Sequence, residues 1–489
     1  MRYVRSCYLS FICCLLMVGC GSSDQGPVEL YLVESGIVIA PGDVHTVRVV
    51  TTEAPGHTAG HDGIVWRLEG AGAVQLGQIQ AFEAGVYAVA NGMAVVWASA
   101  RQQHDSASII VRSGDPASQW REISPGVGHT CGVLASGRAY CWGPQRHGAL
   151  GNGIDRETIV PTPVPVNSEV DFARLAGGHS FTCGLTIGGE VHCWGLEEGG
   201  RLGAVSERAV RLTPSIVSLP DIAVSIEVQS EHACALTEAG KRYCWGSNAG
   251  SRLGIVGPEV VTQPTEGLGE PSFSRIALGE AHGCGVTVSQ ELMCWGRNDV
   301  GQAGSHEGES LATPTLVESE LEFVDVSAGS RHTCALVEIG EVYCFGVNTS
   351  LQLGSLGIEW SPDPKRVASP VPFVRLASSN ETMCGLTYEG RAYCWGSNRF
   401  GEMGTTADMR LCQGGAVPYP CSELPLPVEG DDTFRSIAGG GFVVFCGITE
   451  QSFAKCWGSN RTGGLGIGRL TLENQSVPER VIDGLVTSQ

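Results

Sequence analysis

The chain has 489 residues, with 31 Lys or Arg against 51 Asp or Glu, and a formal net charge of −20. Such an acidic chain repels nucleic acid and anionic lipid surfaces, which argues against any function that needs a basic footprint. The acidity suits a basic partner, and equally suits plain solvation of a loop surface rich in glycine, of which there are 68.

Arg2 and Arg5 precede an apolar run from Leu9 to Val18, and small residues follow. The pattern predicts a secretory signal peptide over 1–20, too short to span a membrane. Leu16-Met17-Val18-Gly19-Cys20 resembles the lipobox of bacterial lipoproteins. That resemblance implies lipidation at Cys20 and a lipid-anchored protein of the cell envelope. Gly21 stands where an aspartate resembles an inner-membrane retention signal, so the outer membrane is the expected site, facing either the periplasm or the outside. An ordinary signal peptide with Cys20 unmodified is the alternative. Residues 21–27 read as a flexible tether.

Residues 28–113 contain no cysteine. Short alternating runs, among them Val44 to Val50 and Ala94-Val95-Val96-Trp97-Ala98, are separated by turn clusters such as Pro41-Gly42-Asp43 and Asn91-Gly92. This predicts a small β-sandwich. Pro41-Gly42-Asp43, the central Trp66 and Gly92 before a strand of small and apolar residues resemble bacterial Ig-like domains of the Big family, which implies a spacer or adhesive role. Residues 114–118 form the expected linker.

From 119 to 489 one frame recurs seven times. Two cysteines stand ten positions apart, an aromatic and a glycine follow the second, and another glycine comes eight positions later. Cys234-Ala235-Leu236-Thr237-Glu238-Ala239-Gly240-Lys241-Arg242-Tyr243-Cys244-Trp245-Gly246 is one copy. The period is 50 to 52 residues, except for 62 between the last two copies. Each frame reads as a β-hairpin around a three-residue loop, whose last position favours the left-handed backbone that costs glycine least. Gly137, Gly189, Gly240, Gly340 and Gly390 occupy that position, and Gln290 and Ser452 are the exceptions. Such a register places the cysteines opposite one another, within disulfide reach. The expected bridges are Cys131–Cys141, Cys183–Cys193, Cys234–Cys244, Cys284–Cys294, Cys334–Cys344, Cys384–Cys394 and Cys446–Cys456. Cys412 and Cys421 make the remaining pair. Reduced thiols are one alternative. Zinc is another, although a hairpin pair spaced by nine residues is not the short knuckle that zinc uses. Seven such units predict a propeller of four-stranded blades, with Trp142, Trp194, Trp245, Trp295, Phe345, Trp395 and Trp457 packed between blades.

Ala328-Gly329-Ser330-Arg331-His332-Thr333-Cys334-Ala335-Leu336, then Trp395-Gly396-Ser397-Asn398 and a terminal Leu-Gly, resemble the repeat of the regulator of chromosome condensation family. The resemblance implies an all-β chain, a seven-bladed β-propeller behind the small sandwich, acting as a rigid disc that binds other proteins through its loops. Light-sensing members carry tryptophan in Gly-Trp-Arg-His-Thr. Ser330 replaces it here, which argues against photoreception.

Four histidines share one column: His129, His232, His282 and His332. Phe181, Thr382 and Val444 fill the same place in other copies, so a structural role is expected rather than a metal ring. No catalytic residue, metal ligand or cofactor motif emerges, and the other columns that align are aromatic, glycine or apolar. The expected function is an exported, membrane-anchored scaffold for a protein partner or surface ligand. A channel enzyme of the glycan lyase or hydrolase class and a structural envelope or appendage component are the alternatives. The C-terminal strand 476–481 is expected to pair into the first blade and close the ring. The excess length in 405–427, with Arg410 and Tyr419 as candidate anchors, marks the expected binding loop.

Overall fold

The computed structural model describes residues 119–482 except 205–208, 268, 270, 414–416, 442 and 472, together with the backbone of eight strands between 29 and 111. The expected leader, Cys20 and the tether lie outside the described residues. The chain parts into two compact units between Ala117 and Ser118.

In the first unit the strands form two four-stranded sheets. One orders Glu29–Leu32, Val44–Thr52, Glu83–Ala88 and Val74–Gln80. The other orders Ile37–Ile39, Gln103–Val111, Gly92–Ala100 and Val65–Glu69. Neighbours run antiparallel, apart from Ile37–Ile39, which lies parallel to Gln103–Val111.

The second unit is a ring of seven sheets, six of four strands and one of five. Blade one is typical: Trp120–Pro125 innermost, then Thr130–Leu134, Ala139–Pro144 and Ile159–Pro165. The middle two strands are the cysteine hairpin. All seven pairs are directly opposed and bridged, from Cys131–Cys141 to Cys446–Cys456, with Cα atoms 4.0–4.1 Å apart. Gly240 takes φ +75° at the turn. Gln290 and Ser452, the two departures from glycine, adopt the same left-handed backbone at φ 66°.

The blades meet through the repeated tryptophans. Trp194 Nε1 donates to Ala149 O of the preceding blade at 3.0 Å, and Trp457 Nε1 donates to Glu402 O at 3.0 Å. Trp245, Trp295 and Trp395 repeat the bond at 3.1 Å. Phe345 has no N–H, and at that junction Gln302 O accepts from Thr333 Oγ1 at 2.9 Å, a threonine bond that Thr182 also makes to Ala149 O beside Trp194. The terminal glycine of six frames lies against the aromatic ring of the next blade, and Gly354 lies against Val367. A Cβ on Gly466 would stand 2.7 Å from Trp142 Nε1, which is why a side chain is excluded there.

The ring does not close by sharing a strand. Gln475–Arg480 pairs with Ala454–Gly458, matching Lys455 to Arg480, so it is the outer strand of blade seven and not part of blade one. The expectation failed on the phase of the unit. The proline-containing strand after each hairpin completes that same blade, as Ser310–Leu316 does beside Leu292–Arg297. Blade one already holds its own outer strand, leaving no vacancy. Closure is instead a packed seam: Trp120, Ile123 and Trp142 of blade one against Val444, Ile448, Leu465 and Val481 of blade seven. Trp142 Nε1 and Thr130 Oγ1 both donate to Gly464 O, at 2.8 and 2.7 Å.

Candidate binding surfaces

Up-and-down connectivity gives the disc two unlike faces. One, the loop face, carries the connections from first to second strand and from third to fourth. The other carries the hairpin turns and the passages between blades.

The 405–427 insertion lies on the loop face, in the third connection of blade six. Arg410–Cys412 pairs with Tyr419–Pro427 as a fifth, edge strand, and Cys412 is bridged to Cys421. Tyr419 is 5 % exposed, packs with both cysteines against Leu351 of blade five, and places its hydroxyl 2.6 Å from Ser350 Oγ. Its ring therefore fastens the insertion to the disc, and the expectation of an anchor offered to a partner is corrected for this residue. The reason is local: a half-polar ring beside a disulfide gains more from burial over the neighbouring blade than from solvent. Arg410 is half exposed, with Nε 3.3 Å from Glu423 Oε2. Leu411, Val417 and Leu424 are the large apolar residues exposed among the described residues of the insertion.

Beside the insertion, the mouth of the central channel opens on the loop face as a cavity of about 570 Å³ lined in part by Phe400, Arg461, Glu280 and Asn380. Arg399 lies 5.1 Å from the Tyr419 ring and Arg461 lies 5.8 Å from the Phe400 ring, both as cation–π contacts. Glu402, behind this mouth, is fully buried, and burial lifts its carboxyl to about 7. It accepts the Phe400 N–H at 2.6 Å, just as Gln302 and Gln352 accept the corresponding N–H in blades four and five. Glu402 is thus a loop staple.

The four column histidines are buried between blades. His129 Nε2 and His282 Nε2 meet Thr182 and Thr333 of the next blade at 2.8 and 2.9 Å. Both ring nitrogens of His232 and of His332 lack a hydrogen-bond partner among the described residues. Among the described residues no three His, Cys, Asp or Glu side chains gather as metal ligands.

On the hairpin face the channel holds a feature that the sequence columns did not reveal. Two positions after the residue that opens the innermost strand stand Glu122, Arg174, Ser225, Arg275, Asp325 and Ser436, and in blade six Arg375 itself opens the strand, two positions after Phe373. Blade three supplies its charge two residues later, as Glu227. From blade one to blade six the signs alternate. Arg174 Nε lies 3.1 Å from Glu122 and its Nη2 lies 3.4 Å from Glu227. Arg275 Nε lies 3.5 Å and Arg375 Nη1 lies 4.0 Å from the two oxygens of Asp325. Arg174, Glu227, Asp325, Arg375 and Arg435 line a cavity of about 410 Å³. Burial outweighs the Arg174 charge and lifts Glu122 to about 7, and burial also raises Glu227 and Asp325.

A β-bulge hid this ring. In blade two, Phe172 pairs with Thr186 and Arg174 pairs with Leu185, so Ala173 is extra and every side chain after it changes face. The same shift occurs in blades one, three, four, five and seven. Plain alternation would place Arg174 in the core with Phe172; the bulge turns it to the channel instead.

The geometry defines a class: a disulfide-stapled, seven-bladed β-propeller with a bridged insertion on one face and a charged channel mouth on the other. Residues 136–185, 273–302, 291–336, 323–352 and 373–402 match the Regulator of chromosome condensation (RCC1) repeat, so the chain carries RCC1 repeats. It is 29 % identical to Ultraviolet-B receptor UVR8 of Arabidopsis thaliana over 27 % of this chain and 30 % of that one. It is 31 % identical to RCC1 domain-containing protein RUG3, mitochondrial, of the same plant, over 29 % of this chain and 33 % of the other. These matches span a third or less of each relative. Yeast RCC1 (Prp20), solved bound to Kap60, superposes with a TM-score of 0.64 at 21 % identity, covering 70 % of this chain and 83 % of that one. Human WBSCR16 superposes at 0.62, also at 21 % identity, covering 71 % and 94 %. Both establish the fold.

Proposed function

We propose that this chain is an exported interaction scaffold, tethered through lipid on Cys20 and spaced from the membrane by an Ig-like domain over 28–113, whose propeller binds a protein partner on its loop face. The observation that carries the reading is the 405–427 insertion. It is the longest departure from an otherwise constant connection, and it is pre-ordered by the Cys412–Cys421 bridge and by Tyr419 over blade five. A pre-ordered protrusion loses little entropy on binding. Arg410, Leu411, Val417 and Leu424 are among the residues it presents, on the face of the Phe400 mouth. Yeast Prp20, solved bound to Kap60, is a propeller of this fold that binds another protein, which is consistent with this use.

An enzyme working in the channel is the second reading, and the charged ring supplies the titratable groups such an enzyme needs. Glu122, Glu227 and Asp325 are each engaged with an arginine, however, an arrangement that fixes these side chains in place around the mouth.

Two experiments test the proposal. Metabolic palmitate should label the wild type and leave Cys20→Ala unlabelled; equal labelling of the variant removes the anchor. Replacing 405–427 with a connection of ordinary length should leave the melting curve of the propeller in place, yet cut capture of the partner from the organism's own envelope fraction by about ten-fold or more. Undiminished capture places the binding face elsewhere.

A further inference from the structure

The alternation of charge around the hairpin-face mouth is incomplete. Six blades supply Glu122, Arg174, Glu227, Arg275, Asp325 and Arg375, and blade seven supplies Ser436, a neutral side chain, where the pattern calls for an acid. A ring of seven cannot alternate two signs throughout, and the break falls beside Arg375. That arginine is half exposed, and its one ion pair among the described residues is a 4.0 Å approach to Asp325, an aspartate already shared with Arg275 and accepting the Leu376 N–H at 3.3 Å. Blades six and seven run side by side along these strands, and at their loop-face ends Ser379 Oγ donates to Gly440 O. Arg435 precedes Ser436 on the same strand and adds a further cation, held by Ser452 Oγ and by Trp120 O. Within a chain of net charge −20, this mouth brings four arginines to three acids.

We propose that this mouth is a binding site for a carboxylate, an acidic side chain of a partner or a free small acid, seated over Ser436 and received by Arg375. The bound group takes the place in blade seven that Glu122 and Asp325 take in their own blades. A carboxylate is the class favoured because the ring already pairs carboxylates with guanidinium groups at equivalent positions, and planar groups of this kind match in geometry. The Ser436 hydroxyl supplies a donor that an acid side chain at that position would not. Glu122, next in the ring, carries its proton part of the time near neutral pH, which lessens its repulsion of an incoming anion.

The site is independent of the insertion, so it is tested on the full mature chain by calorimetric titration with succinate, at constant ionic strength, with inorganic phosphate as the second probe. Saturable succinate binding is expected, weakened about ten-fold by Arg375→Gln, the weight of one charge-assisted pair. The Arg375 side chain is half exposed, so its replacement leaves the core intact. Asp325→Asn releases both flanking arginines and is expected to tighten succinate binding, a gain that misfolding cannot imitate. The chain with 405–427 replaced should bind succinate as the wild type does, which separates this site from the partner face. Absence of saturable binding, equal affinity in Arg375→Gln, no tightening in Asp325→Asn, or phosphate binding as well as succinate would each overturn the proposal.

Discussion

Trp142→Ala is expected to be among the most damaging single substitutions in the propeller, costing about 3–5 kcal/mol. Trp142 is fully buried at the seam between the first and last blades, edge-on to Trp120 at 5.7 Å. Its removal leaves a cavity at the one junction where no peptide connection holds the two blades together. Trp142→Phe should cost only about 1 kcal/mol, the net value of the hydrogen bond alone. Two observations set that contrast. Phe345 fills the same slot at the junction of blades four and five, and Thr130 Oγ1 keeps Gly464 O paired when the indole N–H is lost. Urea unfolding with the disulfides intact measures both variants. Equal losses would mean that the indole N–H, and not the ring volume, holds the seam.

The second large effect is in acid. Burial lowers His129 and His282 to about 4 and His232 and His332 to about 3, against 6.5 for the free ring. The unfolded chain therefore takes up protons that the folded chain refuses. The stability associated with these neutral rings is fully present above pH 6.5 and is lost as pH falls toward the folded values, by about 1.4 kcal/mol per pH unit for each ring. Glu122 and Glu402 act in the opposite sense. Raised from 4.5 to about 7, they favour the fold increasingly as pH falls from 7 to 4.5, and gain nothing further below that. The two sets offset each other in mild acid, and the histidine loss stands uncompensated below pH 4.5. His332→Phe isolates one contribution. His332 packs over Gly329 as Phe181 packs over Gly178, so the larger ring has a precedent in the same column. At pH 7 the variant should be as stable as the wild type or more so, since two unpartnered ring nitrogens are removed. Near pH 4 it should gain a further advantage of about 3 kcal/mol. The same difference at both pH values would contradict the buried neutral ring.

The hairpins were legible in the sequence because three constraints coincide in each: an opposed cysteine pair, a turn residue in the left-handed region, and an aromatic at fixed distance. Gln290 and Ser452 show that register dominates the turn residue, since both accept the backbone that glycine would take without strain. The phase of the blade was not legible. A proline-containing strand lies between two hairpins, and spacing alone does not say which of them it joins. The charged ring was lost to the bulge after Phe172 and its counterparts, a one-residue change that period-two reading cannot see. For the insertion, spacing located the loop but not the direction of its side chains. Arg410 points to solvent, whereas Tyr419 is spent on Ser350 and Leu351.

A ring whose blades are each built from consecutive strands has no blade that must wait for the far end of the chain. As the polypeptide emerges, every hairpin can oxidise with its partner cysteine ten residues behind it, long before the next pair arrives. The order of synthesis thus selects one pairing from the many that the 16 cysteines of residues 119–489 allow in principle. Only the Trp142 seam remains to be made when the last strand appears. The same organisation means that the chain's start and end could be moved to another passage between blades, joining blade seven to blade one, without any strand changing its neighbours.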